Sequence, residues 1–385
     1  MPLTVRGFAL IAAGFFINML GTTLPTPLYP LYEERYHLVP VIITVIFATY
    51  AFAVIAGLML FGHQSDKIGR RAVLLPALAV SGLSAIAFLA AHGLAGLLAG
   101  RVLSGLSAGI FTGSGTAALV DFAPQERRRA AALAAVVANI GGLAFGTILA
   151  GLLAQYVPFP LRTPYAVDLA LAALGFLAVL AAPETVEVTS KRFRIAVRKL
   201  RIPHEMRSTF TSAVIAGMSG FAVSGVFSAV APVLLAAQLN VHAPAIAGVL
   251  VFLIFAASCA GQIVIERLPK GAAFAIGSAL LLAGLAALAA AIASSSLALL
   301  FLSSGLSGIG QGIVIGFGLA NINERVESAH RGEVTSTYFV LLYLGLAVPV
   351  VGVGLVAMAV GLQIAGYIFS GVVAVAVLAA VLWPR

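Results

Sequence analysis

Long apolar runs broken by short polar connections set the pattern of this chain. They fall at about 8–31, 41–61, 72–91, 94–119, 130–156, 164–182, 209–237, 243–265, 271–292, 295–320, 333–358 and 362–383. A helix needs about 20 mainly apolar residues to cross about 30 Å of hydrocarbon, and each run has roughly that length. The runs are continuous and rich in Ala, Leu and Gly. They lack the two-residue alternation of barrel strands. The pattern predicts an all-α integral membrane protein with twelve transmembrane helices.

Composition sharpens this picture by exclusion. Of the 385 residues 61% are apolar and only 9% charged, whereas a soluble domain carries about 25% charged residues. The chain has too little polar surface to face water all round. Twelve helices of about 22 residues would leave about nine residues for each connection or tail, so no soluble domain is expected. The single Cys259 excludes an internal disulfide or a thiolate metal cluster. All six histidines fall at run ends or in connections, which argues against an intramembrane metal site.

A net charge of +9 raises nucleic acid as a partner until the charges are located. When alternate connections are assigned to one side, 19 of the 22 Lys and Arg residues share that side, against Arg35 and Arg162 opposite and Arg101 inside a run. Basic residues concentrate on the cytoplasmic face of membrane proteins. The asymmetry therefore predicts cytoplasmic termini and a bilayer, not nucleic acid, as the basic partner. The longest connection, 183–208, carries seven of these residues and divides the chain nearly in half. The expected organisation is a six-helix bundle over 1–182, a basic linker over 183–208 and a second six-helix bundle over 209–385.

The halves resemble each other. Gly109-Ile110-Phe111-Thr112-Gly113-Ser114-Gly115 lies 203 residues before Gly312-Ile313-Val314-Ile315-Gly316-Phe317-Gly318, and the same offset relates Gly105 to Gly308, Ser104 to Ser307 and Arg128 to Arg331. One offset held across a helix, a connection and the next helix start points to internal duplication.

The most specific stretch is Gly62-His63-Gln64-Ser65-Asp66-Lys67-Ile68-Gly69-Arg70-Arg71. It resembles the signature loop of the major facilitator superfamily, G-x-x-x-D-[RK]-x-G-[RK]-[RK]. Twelve spans, a central basic connection and Pro183-Glu184-Thr185 closing the sixth span extend the resemblance over the whole chain. It implies two pseudo-symmetric bundles, secondary transport of a small-molecule substrate by alternating access, a working monomer and no cofactor. It also implies that Gly62, Asp66, Gly69, Arg70 and Arg71 form a conformational latch, with Asp66 at the start of helix eleven and an arginine paired to Asp121 at the end of helix four.

Arg101 stands about eight residues into the fourth run, roughly 12 Å deep at 1.5 Å per residue. An ionisable side chain within a span costs about 2.5–3.5 kcal/mol or more and marks a wet pathway or a partner. It is expected to line a substrate cavity with the neutral groups Asn18, Thr22, Thr23, Asn139, Gln311, Tyr338 and Tyr343. Gly142 to Gly151 partly resembles the family's antiporter motif, G-x-x-x-G-P-x-x-G-G, which favours proton-coupled efflux. Related drug antiporters often carry an acid where Thr22 and Thr23 stand, and its absence keeps uptake or exchange of an organic anion in view. Asp168, one turn after Thr163-Pro164, reads as a partner for a helix N-terminal dipole. No carboxylate stands out as the proton carrier. No clustered nucleophile, base or metal set lies inside the runs, so no catalytic residues are expected.

Overall fold

The computed structural model describes residues 3–61, 65–186, 188, 200, 202, 207–269 and 271–383. Gly62 of the expected latch lies outside them. Twelve helices in the described chain are long and apolar enough to cross a membrane. We number them α1 (Leu3–Thr23), α2 (Pro40–Phe61), α3 (Arg70–Leu89), α4 (Leu94–Asp121), α5 (Arg128–Tyr156), α6 (Thr163–Ala181), α7 (Arg207–Ala229), α8 (Pro244–Val264), α9 (Ala273–Ser294), α10 (Leu297–Arg325), α11 (Ser328–Val360) and α12 (Leu362–Leu382). The twelve apolar runs are therefore twelve helices. Three helices reach five residues beyond their runs, at the start of α1, the end of α10 and the start of α11, because polar residues at an interface extend a helix as readily as apolar ones.

Two runs are not single helices. α1 stops at Thr23, a 3-10 turn spans Thr26–Leu28, and a short helix follows over Tyr29–Tyr36. α7 stops at Ala229, before a second helix at Ala231–Gln238. Proline causes both breaks. Pro25 and Pro27 have no N–H to give to the preceding turn, and Pro232 sits in the first turn of the new helix, where its missing N–H costs nothing.

The chain forms two compact units. One comprises Met1–Leu28 and Thr49–Arg198, the other Tyr29–Ala48 and Lys199–Arg385. Residues 29–48 thus group with the second unit although they precede the basic connection. Within each unit, glycines let helices approach closely, as lipid-embedded bundles require. In the first unit a Cβ on Gly105 would collide with the Tyr50 carbonyl, and one on Gly109 with that of Val54. In the second, a Cβ on Gly308 would strike the Ile254 carbonyl, and one on Gly312 that of Ser258. The α4 glycines seat on α2 as the α10 glycines seat on α8.

Candidate functional site

The broken end of α1 organises the first polar cluster. The last carbonyls of any helix lack intrahelical partners, and the end carries partial negative charge. Pro25 cannot supply an N–H to the Gly21 carbonyl. Arg101, 1% exposed, lies against this end: its Nη1 donates to the Thr22 carbonyl at 2.7 Å, and its guanidinium carbon sits 5.7 Å from the centre of the Tyr50 ring. A carbonyl at a negative helix end and an aromatic face both favour a cation. They explain how a guanidinium survives out of water.

Around it the hydroxyls are spoken for. Thr22 Oγ1 donates to the Met19 carbonyl at 2.7 Å, and Thr23 Oγ1 reaches across to the Leu143 carbonyl of α5 at 2.7 Å. Deeper in the unit, Ser107 Oγ lies 2.6 Å from the Asn18 side-chain amide and 2.7 Å from the Ala77 carbonyl. A serine has one proton to donate. Asn18 Oδ1 and the Ala77 carbonyl therefore compete as acceptors for it. Asn139 on α5 is half-buried.

In the second unit, Gln311 accepts from Ser224 Oγ at 2.7 Å, joining α10 to α7. Half-buried Tyr343 stands edge-on to Phe221 at 5.5 Å. Tyr338 is elsewhere. It sits in an apolar cluster with Phe210, Val214, Ile315, Ile322, Val334 and Leu342, its hydroxyl facing Gly217 and Gly318. That setting is helix packing, and it separates Tyr338 from the residues with which the sequence grouped it. An apolar cavity of about 450 Å³ lies among α7, α11 and α12, with Ser219 the polar side chain in its wall.

The second cluster surrounds the turn before α3. Arg70 Nη1 donates to Asp66 Oδ1 at 2.5 Å and to Ser65 Oγ at 2.7 Å, while its Nε donates to Asp121 Oδ2 at 2.8 Å. Arg70 therefore joins Asp66 to the end of α4. Arg71 instead donates to the Leu180 carbonyl at 2.6 Å. Glu184 completes the arrangement. Its two carboxylate oxygens accept the backbone N–H groups of Arg70 and Arg71 at 2.9 and 3.0 Å, capping the positive start of α3. Gly69 holds φ at 100°, a conformation costly for any side chain. A Cβ there would also meet Glu184 Oε2 at 2.8 Å.

Asp168 departs from its expected role. It is the sixth residue of α6, and no acid occupies the first turn, where a helix N-terminus acts. Its side chain is buried against α1: a Cβ on Gly21 would meet its Oδ1 at 2.6 Å and its Oδ2 at 2.9 Å. Sequence reasoning also passed over Tyr50, Ser224 and the capping role of Glu184. Tyr50 is a polar aromatic inside an apolar run, which was the available signal. The other two depend on which helices meet.

With this geometry in place, similarity to known proteins defines the class. Residues 11–289 match the family model of the Major Facilitator Superfamily, and the chain belongs to that family of membrane transporters. It is a multi-pass membrane protein. Among curated relatives, the bacillibactin exporter of Bacillus subtilis (strain 168) is 30% identical over 158 residues, 37% of this chain and 38% of that protein. An uncharacterised transporter of Schizosaccharomyces pombe is 27% identical over 155 residues, 40% of this chain and 32% of that one. The matches thus span about a third of the length of those relatives. A crystal structure of a D-xylose-proton symporter superposes with a TM-score of 0.77 at 13% identity, over 99% of this chain and 98% of the other. That of the human organic anion transporter MFSD10 gives 0.70 at 18% identity, over 99% and 100%. At these identities the structures share the fold.

Proposed function

We propose that this protein exports small organic solutes across the cytoplasmic membrane by alternating access, coupled to proton entry, as a monomer with both termini in the cytoplasm. The observation that carries the reading is Arg101, 1% exposed inside α4 and bound to the broken end of α1. A charge kept at that depth is retained for function, because an apolar residue would stabilise the span better. Arg101 supplies positive charge to the substrate cavity, and Asn18, Thr22, Thr23, Asn139, Gln311 and Tyr343 supply neutral hydrogen-bonding groups. Similarity to the bacillibactin exporter supports the outward direction. The Asp66–Arg70–Asp121 chain acts as the latch, with Gly69 fixing its turn, Arg71 holding the end of α6 and Gly62 preceding it in sequence.

A second reading, proton-linked uptake or exchange of a small organic anion, is favoured by the same guanidinium and by the neutral Thr22 and Thr23. One experiment addresses both. Purified protein in liposomes is given anionic, neutral and cationic organic solutes under imposed pH or sodium gradients. Solute movement against its gradient, driven by and opposite to proton flow, is expected. Movement with the proton favours the second reading. Accumulation driven by sodium alone overturns proton coupling.

A further inference from the structure

The first unit buries an acid, Asp168, as well as the guanidinium of Arg101. Asp168 is 3% exposed, and its Oδ1 has no hydrogen-bond partner among the described residues. A carboxylate oxygen out of water and without a donor disfavours the ionised form, whereas the neutral acid is tolerated. What lies against it makes the anion worse still. Gly21 belongs to the last turn of α1, the negative end of that helix, and Pro25 denies the Gly21 carbonyl its usual N–H. The end of α1 beside it therefore offers carbonyl acceptors to a group that, ionised, can only accept.

The charged and titratable groups on the surrounding helices do not replace the missing donor. α6 packs on α1, α3 and α5. On α1 there is no titratable side chain after Arg6. α3 carries Arg70 and Arg71 at its start, with His92 just past its end, and α5 carries Arg128 and Arg129 at its start and exposed Tyr156 at its end. On α6 itself Arg162 precedes the helix and is exposed, while Tyr165 is buried and stacked on Phe88 at 4.7 Å. Arg101 of α4 binds the carbonyl of Thr22, the residue next to Gly21.

We propose that the Asp168 carboxyl is the site where this transporter takes up and releases its coupling proton. One O–H bond forms on uptake and the same bond breaks on release. The acid and the guanidinium address consecutive residues at the broken end of α1, so a movement of that end alters the surroundings of both. Proton occupancy is thereby linked to the cavity charge. The assignment rests on the proton-coupled reading above and adds the group that performs it.

Infrared spectroscopy of the full-length protein in lipid, titrated with pH, reads the site without any cargo. Wild type is expected to show a protonated-carboxyl C=O band that disappears as pH rises, and Asp168→Asn, which preserves shape and neutrality, is expected to lack it. In liposomes, a solute that wild type drives with a pH gradient is expected to equilibrate through Asp168→Asn but not to accumulate. A variant that folds, keeps the band or still accumulates solute under the pH gradient overturns the assignment. Wild type that shows the titrating band yet moves no solute with a pH gradient keeps the proton site and overturns proton coupling instead. If Asp168→Asn does not fold, Asp168→Glu serves: a shifted band midpoint supports the site, and an unshifted one sinks it.

Discussion

Helices α4 and α10 seat matching glycines on matching carbonyls of the helices they pack against, yet the eighth residue of α4 is Arg101 and the eighth of α10 is Ser304. The arginine reaches the Thr22 carbonyl at the broken end of α1. The serine donates at 2.9 Å to the Leu250 carbonyl of α8. Both first helices of the halves are interrupted by proline, so each half offers a similar scaffold. The close packing is thus common property, and the charge is not something the packing requires. Whatever selects Arg101 acts on one half only.

The comparison can be broken most severely at that position. Arg101→Ser makes the two helices alike. The variant is expected to remain folded and to lose transport to the level of empty liposomes in the solute panel. Transport near wild type would make the charge incidental. Next in size are the shared glycines. Gly105→Val and Gly308→Val each push a side chain into backbone, and overpacking of this kind costs about 1–3 kcal/mol. Similar drops in the thermal midpoint of the purified variants are expected, and a drop in one alone would show that the halves pack differently after all.

A smaller effect separates latch from cavity. Asp66→Asn removes one end of the Arg70 network without touching Arg101, so it is expected to slow transport while leaving equilibrium solute binding unchanged. Equal losses of both would place Asp66 in binding. The smallest effect belongs to the second half. Ser304→Ala or Ser224→Ala deletes one interhelical hydrogen bond, worth about 0.6 kcal/mol on average in a membrane bundle. A fall of a degree or so in thermal midpoint, with transport retained, sharpens the contrast with Arg101.

Much of this was legible in the residues, because bilayer thickness dictates helix length and glycine spacing dictates contact. The twelve helices, the duplicated glycines and the place of Arg101 within the fourth helix follow from such local rules, while the pairing of an arginine with Asp121 came from the resemblance to the family. Asp168 was misplaced for a physical reason. α6 is apolar nearly all round, so its sequence does not distinguish the face toward lipid from the face toward α1. Tyr338 raises the same difficulty on α11, where a tyrosine hydroxyl inside an apolar run suggested a cavity and the glycines of α7 and α10 instead leave room for it in a core. Glu184 closes a helix in sequence and caps another in space, and no spacing rule connects positions 114 residues apart.

That separation bears on how the protein is made. The first turn of α3 obtains its acceptor only after the ribosome has delivered span six, so a nascent chain halted before Pro183 carries an uncapped amide pair at the hairpin between its second and third spans. The completed cap therefore cannot form before all six spans of the first half have been synthesised.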